Sequence, residues 1–524
     1  MRPTRTDLRL APAAVAVWVT AFVVVVLPIR VGVALGCVAA VVAGLVGVRA
    51  AAARGATGVP SGPSRPPPGR HRRDPSRPPS TRPSRGVAGQ VLVVLVAVAA
   101  VSLSGAEQLA ARAAGLLGDL VGEQATAQLV GVVRSEPVRV ASPAGWGDRH
   151  ERYRLVLGVS QVTGRGRTGS AAAQVLVLGG PAWAEVGFGA RIETTGRLEP
   201  APSGDVVLAV LAARGPPRVV EPPGAVDRAV RGIRVALRAA TDPLAPDPRG
   251  LVPGIAVGDT SRLPPDLADA MRVAGLTHIT AVSGAHFAII GAAVLALTGL
   301  VGMPRRLRIA VVAAAMGGFV LLVHAEPSVL RAAVMGALGI GGMLLGRPAR
   351  ALSALGATVI VLLVVDPWLA RSFGFALSAL ATAGIVLLTA PIAHGPGRRL
   401  PREVAHAIAV PLAAQVVCAP VIVLLSPAVA TYAVPANLAA APALVPATVA
   451  GALAALVAPW WAAGGAVLAR IAGWAAWWIA EVARRSAALP GAQLPWPAGP
   501  GGAVLLAVVT VAVGVAVARG SRAR

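Results

Sequence analysis

The stretch "GLTHITAVSGAHFAII", Gly275 to Ile290, places two histidines, two threonines, a serine and a mid-run glycine inside what hydropathy alone reads as one membrane-spanning segment. Polar groups are costly at bilayer depth, about 2.5 to 3.5 kcal/mol for a charged side chain on insertion scales, so residues of this kind are expected to face a protein interior or a wet cavity. The glycine favours a broken or re-entrant helix at Ser283-Gly284 that opens backbone groups to a water-filled path. Three other readings are available. His278 and His286 could form a metal pair, but no nearby carboxylate or cysteine completes a ligand set, so no metal or cofactor is expected. Ser283 with His286 as base would make a membrane-embedded hydrolase, but "AVSGAH" lacks the turn and third partner of nucleophile motifs. Thr280, like Thr382, has the bland alternative of bonding its own helix backbone.

Working outward, the chain around this stretch is a membrane protein. Of 524 residues 55% are hydrophobic, the mean hydropathy is +0.70, and apolar runs of roughly 17 to 25 residues recur, the length needed to cross a hydrocarbon core. The formal net charge of +25 comes from arginine with no lysine. The accompanying Ala, Val, Gly and Pro bias is of the kind codon composition imposes, so the charge weighs little as a sign of nucleic-acid binding. Cys37 and Cys418 both sit in apolar runs and imply no disulfide. The fold class expected is a polytopic α-helical membrane protein of about twelve spans with a small all-β domain outside the membrane.

Before the quoted stretch, residues 1–48 hold two spans (Ala13 to Leu27, Val31 to Val48), read as anchors and not as a signal peptide. A Pro/Ser/Arg-rich linker over residues 49–86, with nine arginines against the single acid Asp74 from Arg49 to Arg85, is expected to be disordered and cytoplasmic, which puts the N-terminus inside. A third span covers residues 87–104. Residues 105–224 then alternate like strands in "AQLVGVVR", "ERYRLVLGV", "AAQVLVLGG", "ARIETTGRL" and "DVVLAVLAA", separated by Gly/Pro/Ser turns. Five strands in so short a segment suggest a barrel of OB-like type. Residues 225–250 form a connector in which Val230, Ile233, Val235 and Leu237 oppose Arg228, Arg231, Arg234 and Arg238, a helix suited to a membrane surface.

After it, spans are expected from Leu276 to Val301, Ile309 to Val323, Val329 to Leu345, Ala351 to Val365, Phe373 to Ala390, Val404 to Leu425, Ala430 to Val457, Ala463 to Val482 and Gly501 to Val517, with a basic tail at residues 520–524. With the barrel outside, the basic clusters at Met303 to Arg308, Gly346 to Arg350 and Gly395 to Arg402 fall inside; only Arg484 and Arg485 break the positive-inside pattern. Trp460, Trp461, Trp474, Trp477 and Trp478 read as interfacial anchors. Further polar groups punctuate these spans: Ser328 and Arg331, then Asp366, Arg371, Ser378 and Thr382, then Gln415 and Asn437, each of the last two followed by a helix-breaking proline. Arg331 has a second reading, snorkelling to the outer surface.

At these residues the chain resembles the ComEC/Rec2 competence family. The resemblance rests on "LVPGIAVGDTSRLPPDLADAMRVAGLTHITAVSGAHFAII" (Leu251 to Ile290), and then, in order, on Ser328 to Arg331, Asp366-Pro367, the Gly374-Phe375-x-Leu377-Ser378 block, Gln415 to Pro420 and Asn437 to Pro442. It departs from the family at Ala285, where leucine is usual, and at Phe287, where valine is common. The resemblance implies a channel or permease in the cytoplasmic membrane that imports single-stranded DNA during transformation, with an OB-like extracytoplasmic domain receiving it. It implies a path formed by His278, Ser283, Gly284, His286, Arg331, Ser378, Gln415 and Asn437, with Asp259, Ser328 and Asp366 as structural polar support and no catalytic residue. Many family members carry a metallo-β-lactamase-like nuclease domain. None of the seven histidines here lies in an HxHxDH arrangement and no GxxxxGK[ST] loop is present. Partners are therefore expected: membrane lipids, a separate DNA receptor, a nuclease, a cytoplasmic ATPase motor and further copies of the chain.

The physics constrains such a task. One phosphate per about 3.4 Å of strand would put roughly nine negative charges in a 30 Å crossing, so the path must be hydrated or lined by donors and cations. In the barrel, Trp146, Tyr153, Trp183 and Phe188 could stack bases or equally fill the core. A secondary transporter for a small anionic solute would use the same broken helix and remains the rival reading.

Overall fold

A computed structural model describes residues 8–55, 84–140, 151–280, 282–324, 327–344, 351–395 and 400–522. Most of the linker expected at residues 49–86 therefore lies outside the described residues, as does Trp146. In chain order the elements are α1 (Ala11–Val24), α2 (Ile29–Gly55), α3 (Ser84–Ala113), α4 (Leu116–Gly122), β1 (Thr126–Val133), β2 (Val138–Val140), β3 (Arg152–Gly164), β4 (Arg167–Gly179), β5 (Arg191–Pro200), β6 (Ala209–Ala213) and β7 (Arg218–Glu221). Helices follow as α5 (Ala225–Thr241), α6 (Pro246–Val257), α7 (Pro265–Val273), α8 (Gly284–Leu300), α9 (Arg305–Leu322), α10 (Pro327–Leu344), α11 (Ala351–Val365), α12 (Phe373–His394) and α13 (Arg402–Leu425). The chain ends with β8 (Ala428–Ala430), α14 (Ala433–Val457), α15 (Ala462–Ala488), β9 (Gln493–Pro495) and α16 (Gly499–Arg522). Seven of these helices are long and apolar enough to cross a membrane, and four shorter ones are apolar as well. The protein is thus a multi-pass membrane protein with a separate β-sheet domain.

The chain divides into two compact units. The first comprises Met1–Ala110 and Val359–Ala370. Here α1 and α3 hold the end of α11 through polar side chains: Trp18 donates to the Ala370 carbonyl at 3.1 Å, Ser104 to Val364 at 2.6 Å and Gln108 to Val365 at 3.0 Å. Asp366 belongs to this unit, where its carboxylate accepts the Trp368 N–H at 3.1 Å and caps the short 3-10 turn that follows.

The second unit comprises Ala111–Thr358 and Arg371–Arg524. Its β-domain follows from alternation: along β1 and the second half of β4 every other residue is buried, so Leu129, Val133, Leu157, Val175, Val177, Ile192, Leu198 and Leu211 meet in one core. The sheet closes on itself. β1 pairs β3, β3 pairs β4, β4 pairs β6 in parallel, β6 pairs β5, and β5 returns to β1. A register shift at Val130/Gly131 supplies curvature, and glycine is required there because a Cβ on Gly131 would stand 2.4 Å from the Gly158 carbonyl oxygen. α4, which strand alternation does not reveal, packs Leu116, Leu117, Leu120 and Val121 into this core.

The helical part packs differently. α6 is buried along most of its length, and it lies against α14 and α15 through Ala436, Ala440, Ala443, Ala447, Ala472 and Ala476. Small residues let helix backbones approach closely where lipid gives no hydrophobic drive. At one place the links between helices are zipped: β8 pairs β9, Thr431 donates to the Gly491 carbonyl at 2.8 Å and Tyr432 to Pro490 at 3.0 Å.

The connector does not lie on a surface through a single apolar face. Val230 and Leu237 of α5 are buried as expected, but so is Arg234, while Val235 is 51% exposed. Arg234 donates to the terminal carbonyls of two helices, Val257 of α6 at 2.7 Å and Leu322 of α9 at 3.1 Å, where the negative ends of the helix dipoles favour a cation. Arg238 pairs with Asp259 at 2.5 Å. The β-domain meets this joint: Glu136 stands 3.8 Å from Arg234 and 3.6 Å from His324, and Phe188 stacks on the His324 ring at 4.1 Å. His324 terminates α9 in a left-handed conformation, φ +59°. Burial, reinforced by the charge of Arg234, pushes its pKa down to about 4.

Arg484 and Arg485, the exceptions in the charge pattern, are both matched by acids. Arg484 grips Asp247 at 2.7 and 2.8 Å and Asp266 at 2.8 Å; Arg485 meets Glu481 at 2.6 Å. The five tryptophans read as anchors are all exposed, Trp460 most of all at 91%.

Candidate functional site

The segment from Leu276 to Val301 is not one helix. A 3-10 turn covers Thr277–Ile279, and α8 starts afresh at Gly284 with Ser283 as its extended N-cap. The reason is local. A helix start leaves N–H groups without carbonyl partners, and serine with a polar residue three positions on can satisfy them. Here the third residue is His286, whose Nδ1 accepts the Ser283 N–H at 3.1 Å and lies 3.0 Å from Ser283 Oγ. Because Nδ1 accepts a main-chain N–H, the neutral ring is assigned its proton on Nε2. That Nε2 is buried without a hydrogen-bond partner among the described residues, in a side chain that is 1% exposed.

α10 brings two further polar residues to this break. Ser328 donates to the Val282 carbonyl at 2.7 Å, fixing the chain just ahead of the cap. One turn later, Arg331 is 4% exposed and points into the protein, so it does not snorkel outward. Its Nε and Nη2 both donate to Ser378 Oγ on α12, at 2.9 and 2.7 Å, and its Nη1 to Met335 Sδ at 3.0 Å. Glycine at 284 makes room for it, since an added Cβ would stand 3.0 Å from Arg331 Nη2. Ser283, Gly284, His286, Ser328, Arg331 and Ser378 thus come together from three helices. Val282, Phe287, Phe319, Val323 and Val329 surround them with apolar bulk.

The remaining predicted residues divide. His278, in the 3-10 turn, is exposed and stands within electrostatic range of His286. Asn437 donates to the Ala433 carbonyl at 2.8 Å and Gly275 at 3.4 Å, so it braces the turn that leads to His278. Gln415, half-buried on α13, makes no side-chain hydrogen bond to a described residue. Asp259 lies apart, next to the α5 joint. Its burial alone would raise its pKa, but hydrogen bonds from Ser261 and Arg238 together outweigh that and hold the carboxyl below its usual range. Asp366 acts in the other unit. Thr280 and Thr382 bond backbone carbonyls, those of Thr277 and Ser378. Among the described residues no three His, Cys, Asp or Glu form a metal-binding group.

Sequence reasoning did not single out Met335, which touches Arg331 from one turn further along α10; the spacing of four was available as a signal, but a methionine in an apolar helix gives no reason to look. In the β-domain, Trp183 is core, 1% exposed with its N–H on the Gly215 carbonyl, and Phe188 is taken up by His324.

A family model described as "Competence protein" matches residues 255–520, about half of the chain. The chain is 31% identical over 144 residues to ComE operon protein 3 of Bacillus subtilis (strain 168), a match that covers 28% of this chain and 19% of that relative. No solved structure matches. From the span of the family match, the chain belongs to the competence protein family.

Proposed function

We propose that the chain is a membrane channel that passes a single strand of DNA across the cytoplasmic membrane in natural transformation. One observation carries this reading. In a bundle built mostly of alanine and aliphatic residues, the polar side chains of α8, α10 and α12 collect in one buried place, where they could replace the water that a strand gives up. Family membership supplies the substrate class.

On this reading the N-terminus is cytoplasmic, and the β-domain lies outside, where it receives the strand. Its closed order β1-β3-β4-β6-β5, with the one parallel pair β4–β6, supports an OB-like assignment. About twelve spans, a path through His278, Ser283, Gly284, His286, Arg331, Ser378, Gln415 and Asn437, and separate receptor, nuclease and ATPase partners complete the proposal.

The hydrolase alternative rests on the 3.0 Å approach of Ser283 Oγ to His286. The nitrogen involved is already the acceptor for Ser283's own N–H, and no carboxylate among the described residues orients the ring from its other side. It reads as a helix cap. Uptake of labelled DNA into the cytoplasm tests the proposal: deleting the gene is expected to abolish it, and Arg331→Ala to reduce it at least tenfold. Unchanged uptake in the deletion strain overturns the channel reading.

A further inference from the structure

The Arg331 guanidinium is buried with no counter-charge among the described residues. Its three hydrogen bonds go to a hydroxyl and a thioether, both neutral, and it forms no ion pair with a described carboxylate. Two of its five N–H groups remain unused. Its Nη2 lies against Gly284, the first residue of the seventeen-residue α8, so a buried cation faces the positive end of a helix. Like charges held together away from water are unstable unless an anion joins them. His286 Nε2 adds another buried donor without an acceptor. Among the described residues no acidic side chain supplies the missing negative charge, and a bound anion would.

We infer that Arg331, Ser378 and the first turn of α8 form a site for one phosphodiester anion, which holds a passing strand by its backbone and is indifferent to its bases. The inference rests on the channel reading for its ligand. Ser378 is a positioning residue: its Oγ takes both Nε and Nη2, which sets the plane of the guanidinium. Gly284 lets the guanidinium lie close against the helix start, since a Cβ there would stand 3.0 Å from Nη2.

The test uses the full chain in detergent, with thermal unfolding as the readout and three probes: a single-stranded oligothymidylate, the same oligomer with uncharged methylphosphonate linkages, and inorganic phosphate. The wild type is expected to gain several degrees with the charged oligomer and none with the neutral one. Ser378→Asp places a carboxylate beside Arg331. That variant is expected to start with a higher midpoint than wild type, to gain nothing from either oligomer, and to lose strand uptake in cells at least tenfold. More stable and less active is a pairing that a purely structural role for Arg331 does not give.

The neutral oligomer stabilising as well as the charged one would overturn the inference, as would a Ser378→Asp protein less stable than wild type or one with normal uptake. In that last case, with uptake still abolished by gene deletion, the channel reading stands without the anion site. Stabilisation of the wild type by phosphate and not by the oligomer, abolished in Ser378→Asp, keeps the anion site and removes the strand as its ligand.

Discussion

The β-domain and the helical bundle bury opposite kinds of residue. In the first, the core is large and dry: Leu129, Leu157, Trp183, Ile192 and Leu211 fill it, and Thr194 is its one buried polar side chain among the described residues. In the bundle the helix contacts are mostly alanine, while His286, Arg331, Arg234 and Asp259 are buried. The difference follows from the solvent each faces. Water drives large side chains inward, so a soluble barrel is held by apolar area. Lipid gives no such drive, so helices gain by close approach and can reserve their interior for polar groups. The barrel should therefore fail when atoms are removed and the bundle when atoms are added.

The largest expected effect tests the first half of that statement. Leu157→Ala, at a fully buried position, should cost the β-domain about 2 to 5 kcal/mol, read from hydrogen exchange of its strand amides. A loss under 1 kcal/mol would mean that the barrel is not held by its core. Next comes the joint between the two regions. His324 has a folded pKa of about 4 against an ordinary 6.5, so the unfolded chain binds the extra proton first. Its stabilisation is complete above pH 6.5 and is lost as the pH falls from there toward 4, by up to about 3 kcal/mol. Glu136 and Arg234 face the same ring. His324→Gln should flatten the slope of melting temperature in that window; an unchanged slope would assign it to other groups.

In the bundle, Ala472→Leu should cost about 1 to 3 kcal/mol by overpacking, and Ala472→Gly only about 1 kcal/mol from helix propensity. Equal costs for the two, measured by thermal unfolding in detergent, would break the comparison. The smallest effect belongs to Arg484→Gln. The ion pairs with Asp247 and Asp266 are partly exposed, so their loss should cost about 1 kcal/mol and should shrink at high salt.

The same contrast explains what the sequence revealed. Alternation marked β1, β3, β4, β5 and β6, because one face of each strand meets the core. It says which side is buried and not which strand lies next, so the parallel β4–β6 pair that closes the barrel was out of reach. β2, β7 and α4 were missed for being short: three, four and seven residues leave little periodicity to read. The break at Ser283-Gly284 was legible, since glycine and serine interrupt an apolar run. The direction of Arg331 was not, because inward and outward rotamers leave the same hydropathy. α5 misled more seriously. Its arginines look like one polar stripe, yet Arg234 and Arg238 serve as internal partners for helix ends and for Asp259. The buried stripe of α5, Val230, Arg234, Leu237 and Ala240, keeps helical spacing but includes an arginine, so hydropathy alone draws the stripe in the wrong place.

The ribbon of β8 and β9 has a bearing on how the protein is made. Ala430 pairs with Gln493, so the link between α13 and α14 leaves the ribosome about sixty residues before the strand that completes it. Until then the Tyr432 hydroxyl lacks its acceptor on Pro490 and the main chain of Ala428–Ala430 lacks its ladder. A translation product cut short inside α15 would expose that unfinished edge, giving membrane quality control a local mark by which to tell an incomplete chain from a finished one.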